Sequence, residues 1–505
     1  MTAATLMIQG ASSSVGKSLL AAAFCRIYAR RGVRVAPFKA QNMSNNAAVC
    51  RDGSEIGRSQ AVQAAAAGIE PTADMNPVLL KPESDSRSQV IVGGRPWRTL
   101  GAREYVKARG DLWAEVTSAL DRLRASHDLV IIEGAGSPAE LNLRRGEIVN
   151  MAVARHAVSP VLLVGDIDRG GVFAQLLGTL WLLDEADRAL VRGLVVNKFR
   201  GDRSLFADGE RILQERGGVP VLGTLPYLPG LSIPEEDAAE LRSSEAAPRE
   251  PGGLDLVVIR LPRISNFDDF DPLAAEPGVC LRYVDAPGSL GQPDAVILPG
   301  TKSTAADLAW LRETGLADAV AGMARRGTAV VGICGGFQML GRSIRDPDRV
   351  ESSAVEVAGL GLLEAVTTFG GTKATHRTSG QIVGGPGWLG ALAGEVVLGY
   401  EIHMGRTTGN CPWLRLEREA GDSGPTPDGQ VDKGGRVWGC YLHGLFANDV
   451  FRRAWLASLA GGPKGAVGAS TSLDRALDRL ADAVEDALDV GQVDAWVGAN
   501  GLRII

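Results

Sequence analysis

No two of the six cysteines stand at CxxC spacing, and the chain has only five histidines. The first absence excludes a disulfide framework and a zinc site built on cysteine pairs, and it fits a reducing compartment. No apolar run reaches the length of a bilayer, which excludes a helical membrane span. Positive charge is not in excess: Lys and Arg number 53 against 59 Asp and Glu, for a net charge of −6. That balance argues against a nucleic-acid partner held by a large basic surface. No repeat of solenoid type recurs. The first strand is expected within the first ten residues and runs straight into a glycine-rich loop. That leaves no room for a targeting peptide, so a cytoplasmic location is expected.

What is present describes an ordinary globular chain, 45% hydrophobic and 22% charged, whose 505 residues exceed a single core. Short branched-aliphatic runs with little alternation mark strands buried on both faces. They fall at Thr5–Gln9, Arg34–Phe38, Leu129–Glu133, Val161–Gly165 and Leu194–Asn197. Helical patterns at Lys17–Arg31 and Tyr105–Ser126 lie between them, and the alternation predicts a doubly wound parallel sheet. The stretch Ser232–Gly253, rich in Glu, Ala, Ser and Pro, reads as a linker. A second α/β series follows, with strands at Leu254–Arg260, Ala295–Leu298, Ala329–Ile333 and Arg436–Leu442. Gly421–Gly435 is expected as an exposed loop, and Leu473–Val490 as an amphipathic helix that packs at the C-terminal end. The expected fold class is α/β, with units at 1–231 and 254–458, a linker at 232–253 and a helical tail at 459–505.

The most informative run is Val330-Val331-Gly332-Ile333-Cys334-Gly335-Gly336-Phe337-Gln338-Met339-Leu340. An apolar strand ends in Gly-x-Cys-Gly-Gly and a helix follows. This is the cysteine version of a nucleophile elbow, a tight turn that exposes the reactive atom. The helix N-terminus favours thiolate over thiol, and its backbone N–H groups can hold an oxyanion. Such a thiolate needs a base. His443 stands in Tyr441-Leu442-His443-Gly444-Leu445-Phe446, at a strand end. His127 and His156 fall in the first half, and His376 lies in a polar, loop-like stretch. His403 is the rival, and a supporting or substrate-side place is expected for it. Gly300 and Thr301, in Leu298-Pro299-Gly300-Thr301, offer further oxyanion donors, although ordinary turn chemistry accounts for that segment almost as well.

Gly10-Ala11-Ser12-Ser13-Ser14-Val15-Gly16-Lys17-Ser18 follows a strand and opens a helix. It is a phosphate loop with five residues between its two glycines. Backbone N–H groups of Gly10, Ser13, Ser14, Val15 and Gly16 are expected to cradle phosphates. Lys17 reaches the outer phosphates and the Ser18 hydroxyl binds Mg²⁺. Glu133 ends the strand Val130-Ile131-Ile132-Glu133 before Gly134-Ala135-Gly136 and is expected as a second Mg²⁺ ligand or an activator. Asp52, in a nearby loop, is expected to complete the metal set. Lys39, just past the second strand, is placed to steady a phosphoryl group. Asn197 and Lys198 end a strand as an adenine-contacting pair. Asp166 and Asp168 are open between ligand and solvated-loop roles.

The long phosphate loop resembles the dethiobiotin synthetase-like branch of P-loop proteins. The second half, with Gly332-Ile333-Cys334-Gly335-Gly336 and a distant Tyr-x-His-Gly at Tyr441–Gly444, resembles a class I glutamine amidotransferase domain. It departs from the usual His-x-Glu, since His443 is followed by Gly444-Leu445, and which group orients His443 stays open. Longer strings narrow the resemblance: Pro37-Phe38-Lys39-Ala40-Gln41-Asn42-Met43-Ser44-Asn45-Asn46, Glu55–Ala61, Asp74–Pro82, Arg263–Phe270 and Tyr283-Val284. They are similar to the cobyric acid synthase family of cobalamin biosynthesis over nearly the whole chain. The resemblance implies a glutamine-hydrolysing, ATP- and Mg²⁺-dependent ligase that amidates the b, d, e and g carboxylates of adenosylcobyrinic acid a,c-diamide. Its partners would be glutamine and that corrinoid, with no nucleic acid and no membrane. The rivals are the sister enzyme of the a and c carboxylates, an amidoligase for another polycarboxylate, and a ParA-like ATPase switch carrying an inactive amidotransferase domain.

Overall fold

The computed structural model describes residues 2–144, 146–234, 252–420, 424–459 and 473–499. Two six-stranded sheets organise it. The first runs Val221–Pro226, Val191–Phe199, Val161–Asp166, Ala4–Gly10, Leu129–Glu133, Val35–Phe38 across its width, all parallel. Its inner strands are buried end to end, as in Leu129–Glu133 and Val161–Asp166, because helices cover both faces. The second sheet runs Val279–Val284, Leu254–Ile259, Ala295–Leu298, Ala329–Ile333, Val437–Cys440, with the antiparallel strand Gln430–Val431 at its edge. Parallel strands place their following loops along one edge of a sheet, where open α/β sheets bind ligands. Among the described residues, no helix is long and apolar enough to cross a membrane.

Between the strand Val35–Phe38 and the helix Ala102–Ser126 lies a four-stranded sheet that apolar periodicity does not announce. Its order is Gln41–Met43, Val78–Pro82, Arg87–Val92, Arg95–Gly101. The strand Arg95–Gly101 has no buried residue, so it carries no apolar stripe to find. This sheet meets the second unit through an apolar cluster of Ala47, Val49, Leu79 and Ile91 with Tyr400 and Ile402.

Most of the expected linker, residues 235–251, lies outside the described residues. Of the expected loop Gly421–Gly435, residues 421–423 lie outside the described residues, and the rest is not simply an exposed loop: Thr426–Asp428 and Gln430–Val431 are strands, and Asp428, Gln430 and Val431 are buried. Its polar residues serve the backbone instead of water. Asp428 accepts the Tyr441 N–H at 3.0 Å and Gln430 Oε1 accepts the Cys411 N–H at 2.9 Å. His376 likewise sits within the strand Ala374–Ile382 and not in a loop.

The amphipathic tail forms the helices Leu473–Ala487 and Val490–Ala499. They pack back on the first unit, against the helix Lys17–Arg30. Leu477, Leu480, Val484, Val493 and Val497 join its core with Leu20, Phe24 and Ile27. Arg26, Arg30 and Arg31 pair with Asp478, Asp482, Glu485 and Asp494 across the seam. These ion pairs are partly exposed and hold orientation more than stability; the apolar seam carries the energy. Leu480→Ala is expected to destabilise the N-terminal unit by about 2–5 kcal/mol, read as a lower denaturation midpoint. An unchanged midpoint would show that the tail is not part of that core.

Candidate active site

Cys334 caps the helix Gly335–Leu340 with φ 53° and ψ −110°, a conformation that side chains other than glycine rarely hold. The neighbours show why the turn is so tight. A Cβ on Gly336 would lie 2.0 Å from the Leu298 carbonyl oxygen, and one on Gly335 2.7 Å from Thr301 Cγ2. The Gly336 N–H donates to Pro299 O at 3.0 Å, so it is committed to the backbone. Gly335 lies against the Thr301 backbone nitrogen, 3.1 Å from where its Cβ would be. That contact brings the Pro299–Thr301 turn beside the nucleophile.

His443 is fully buried, 0% exposed. Its backbone is pinned by two hydrogen bonds with Tyr400, and the Tyr400 ring stacks on the imidazole at 5.1 Å. The acid absent after His443 comes from elsewhere in the chain. Asp269, in the short helix Phe267–Phe270, accepts from His443 Nδ1 at 2.6 Å with Oδ2, and Oδ1 accepts the Gly444 N–H at 2.8 Å. Burial disfavours the charged ring, but Asp269 and the Cys334 sulfur outweigh it and push the His443 pKa up to about 10. The three side chains have the relations of a nucleophile, a base and an orienting carboxylate. Asp269 lies inside the string Arg263–Phe270 quoted above; its distance in sequence from His443 gave no sign of the pairing.

His403 lines the small cavity in front of Cys334, about 50 Å³, with Asn266, Thr301, Gln338 and Glu351. Its Nε2 faces Glu401 at 3.2 Å and its ring stacks on Tyr441 at 3.7 Å. It therefore flanks the cavity without joining the triad. His127 and His156 lie in the first unit, far along the chain from Cys334, on or after the helix Ala102–Ser126 and in Met151–Ala157.

At the edge of the first sheet, Lys17 curls over the phosphate loop, donating to Ser12 O at 3.3 Å and Gly136 O at 3.2 Å. Gly10 and Gly16 are required by space: a Cβ on Gly10 would meet Ser12 O and Val15 Cγ2 at 2.7 Å, and one on Gly16 would meet Asn197 Nδ2 at 2.3 Å. Asn197 donates to Val15 O at 2.7 Å and Lys198 to Ser14 O at 2.7 Å. Asn197 thus pins the loop from behind, while Lys198, Ser13, Ser14, Gly16, Lys17 and Ser18 line a cavity of about 1030 Å³.

Glu133 is buried and bonded on every side. Oε1 accepts from the Ser18 hydroxyl at 2.8 Å and from Lys39 Nζ at 2.9 Å; Oε2 accepts from Gln63 at 2.7 Å and Gln60 at 3.3 Å. Burial alone would raise its carboxyl, but Lys39 and these donors hold it below the usual range. Asp52 does not join this set. It closes a turn in the ribbon Ala47–Val49/Glu55–Gly57, accepting from Ser54 N at 2.9 Å and Ser54 Oγ at 2.6 Å, and the next residue, Gly53, packs against Thr375 of the second unit. Gln60 and Gln63 occupy the flank where a second acid was expected. Asp166 and Asp168 pair with Lys198 and Arg200. Among the described residues no three His, Cys, Asp or Glu could hold a metal. A hydroxyl and one carboxylate beside a phosphate cradle nevertheless fit Mg²⁺, which takes few protein ligands and completes its shell with phosphate and water.

The two sites share a wall. In the strands Val78–Pro82 and Arg87–Val92, Leu80, Pro82, Ser88 and Val90 line the phosphate-loop cavity, whereas Lys81 and Gln89 line the cavity of Cys334. Alternation along a strand sends neighbours to opposite faces, so a single sheet separates the chambers. The helix Arg58–Ala67 touches both sites. Its first residue, Arg58, pairs with Asp268 at 2.9 Å and donates to the Tyr400 hydroxyl at 2.6 Å, while Gln60 and Gln63 reach Glu133.

A thiol nucleophile with a base on one sheet edge and a phosphate loop on the other define an ATP-dependent glutamine amidotransferase ligase. Family models agree: residues 255–451 match the CobB/CobQ-like glutamine amidotransferase domain and residues 6–240 the CobQ/CobB/MinD/ParA nucleotide binding domain. Full-length relatives narrow the class. The chain is 55% identical to a cobyric acid synthase of Chloroflexus aurantiacus over 98% of its own length and 99% of the relative's. It is 53% identical to one of Sorangium cellulosum, covering 99% and 100%, and 49% identical to one of Pelotomaculum thermopropionicum, covering 99% and 98%. The chain belongs to the cobyric acid synthase family.

Asp269→Asn is expected to lower glutamine hydrolysis by about 10²-fold and to leave amidation from free ammonia intact. Asp269 raises the His443 pKa, so its loss lowers that pKa. The alkaline limb of the glutaminase pH–rate profile is then expected to move to lower pH. A limb that stays in place would exclude Asp269 as the orienting acid.

Proposed function

We propose that this chain makes cobyric acid by amidating the b, d, e and g carboxylates of adenosylcobyrinic acid a,c-diamide with nitrogen from glutamine and energy from ATP. The observation that carries the reading is the pairing of two complete sites back to back across one sheet, within a chain of this family. Cys334 thiolate attacks the glutamine amide carbon. The C–N bond breaks as His443, charged and steadied by Asp269, gives its proton to the departing nitrogen, which leaves as ammonia. His443 then takes a proton from water as the water attacks the thioester, and glutamate and the thiolate are restored.

On the other side of the wall, a carboxylate is a poor acyl donor until its oxygen becomes a leaving group. Backbone N–H groups of Gly10–Gly16 and the Lys17 ammonium hold the phosphates of ATP, and Ser18 and Glu133 would hold Mg²⁺, which neutralises charge on those phosphates. Lys39 is the cation that faces the transferring phosphoryl group as it passes to the substrate carboxylate. Ammonia attacks the acyl phosphate carbon, phosphate leaves, and an amide remains. Asp52 closes a turn and Asn197 braces the phosphate loop.

The test is mass spectrometry of the corrinoid after incubation with ATP, Mg²⁺ and glutamine. Four successive acid-to-amide mass changes are expected, and an unchanged corrinoid beside active glutamine hydrolysis would discard the substrate. Cys334→Ala is expected to abolish glutamine use but spare ammonia use, while Lys17→Ala removes amidation from either source. Loss of ammonia use in Cys334→Ala would mean that the thiol is not confined to glutamine hydrolysis.

A further inference from the structure

A corrin ring is a broad, mostly apolar plate edged with carboxylates and amides, and the residues given roles above hold only its reacting carboxylate. The phosphate-loop cavity has two sides. One, from Ser13 and Ser14 past Lys198 to Tyr227–Pro234, continues from the phosphate loop. The other is formed by the strand Gln41–Met43, the hairpin strands Val78–Pro82 and Arg87–Val92, the end of the strand Arg95–Gly101 and the first turns of the helix Ala102–Ser126. On that second side Met43, Leu80, Val90, Leu100 and Val106 face the cavity. Met43 is 56% exposed and Val106 53%. Leu80 and Val90 are buried; two large apolar side chains left in the open beside a catalytic edge mark a surface that is covered when a ligand binds.

Resting on the function proposed above, we infer that this ledge is the seat of the corrin face, with Arg109 and Arg87 at its rim facing the peripheral carboxylates. Charge supports that occupant. Three acids line the cavity, and each is engaged: Glu133 by its four donors, Glu147 by the N–H groups of Val149, Asn150 and Ala152, and Asp85 by Arg263. Five cations, Lys17, Lys39, Arg87, Arg109 and Lys198, share the same lining; Lys39 pairs with Glu133 and Lys198 with Asp166, and the cations still outnumber the three acids. A polycarboxylate entering here meets a net positive wall.

The apolar character of the ledge also answers a geometric demand. Four carboxylates at different points of one ring must each reach the single position beside Lys39. The ring therefore has to settle in several rotated poses. Directional hydrogen bonds to the macrocycle would favour one pose over the others, whereas apolar contact is non-directional and depends on area. A ledge whose apolar face is set by Met43, Leu80, Val90, Leu100 and Val106, with Arg87 and Arg109 beside it, holds the plate and lets it turn between amidations.

The test measures corrinoid dissociation constants by absorbance titration of the wild type and of Val106→Asp, Val106→Leu and Arg109→Met, together with the distribution of partly amidated products. Val106 is exposed, so its replacement is compatible with folding. Val106→Asp sets an anion under a polycarboxylate and is expected to weaken corrinoid binding about tenfold or more; Val106→Leu keeps wild-type affinity. Arg109→Met is expected to weaken binding and to shift the product distribution toward less amidated species. Wild-type affinity in both Val106→Asp and Arg109→Met, with a wild type that amidates the corrinoid, overturns the ledge alone. A wild type that neither binds nor amidates the corrinoid overturns the function on which the ledge rests.

Discussion

A carboxylate shut away from water stays ionised only when donors surround it, and Glu133 is where that demand shapes this molecule. Its four partners come from the phosphate-loop helix, from the loop after the second strand, and from the helix Arg58–Ala67. Satisfying one anion therefore fixes the relative positions of three elements. The third of them extends the effect beyond the first unit. With Gln60 and Gln63 held at Glu133, Arg58 is delivered to Asp268 and Tyr400, one adjacent in sequence to Asp269, which bonds His443, and the other stacked on the His443 ring. The two chemistries are joined by a helix that is bonded into both.

The interface between the units is unusual in its charge. Glu55 is buried between Lys81 and Lys373. Burial would raise its carboxyl, yet the two ammonium groups outweigh that and bring it down to about 2. One carboxylate cannot compensate two cations equally. Burial lowers Lys81 more than Glu55 raises it, to about 8. Removing Glu55 from this set would leave two buried cations without their anion, which is far more damaging than replacing the whole set. The cluster thus makes docking of the two halves specific: a shifted register would strand charges in the interface.

Much of this was legible in the sequence because the chemistry there is local. The elbow at Cys334, the phosphate loop and the parallel strands each depend on neighbours within a few residues, and periodicity or glycine spacing exposes them. Asp269 was not legible, since its partner is reached only through the fold and two adjacent aspartates look like any solvated turn. Asp52 illustrates the converse: a carboxylate in a loop near the right motif is turned away by a bond to Ser54, a contact that spacing does not reveal. Gly421–Gly435 was misread because polar composition was taken for solvent exposure, when Asp428 and Gln430 are polar in order to satisfy buried backbone groups. The sheet from Gln41 to Gly101 escaped notice because its outer strand is wet on both faces.

The helices that close the N-terminal core are synthesised after the whole of the second unit. Everything needed for the second unit leaves the ribosome first, while the face of Lys17–Arg30 that will receive Leu477, Leu480 and Val484 is still uncovered. The nascent first unit is therefore an unfinished body that must wait through the making of its neighbour, a setting in which exposed apolar surface invites aggregation or chaperone capture. The same arrangement makes completion of the first core depend on synthesis past the second unit: a chain cut short after the glutaminase unit would keep the elbow at Cys334 yet lack the clasp that completes the ATP-side core. Circular permutation that joins the tail directly ahead of the first strand would remove the wait, turning a body assembled from two stretches that flank the second unit into one assembled from a single stretch.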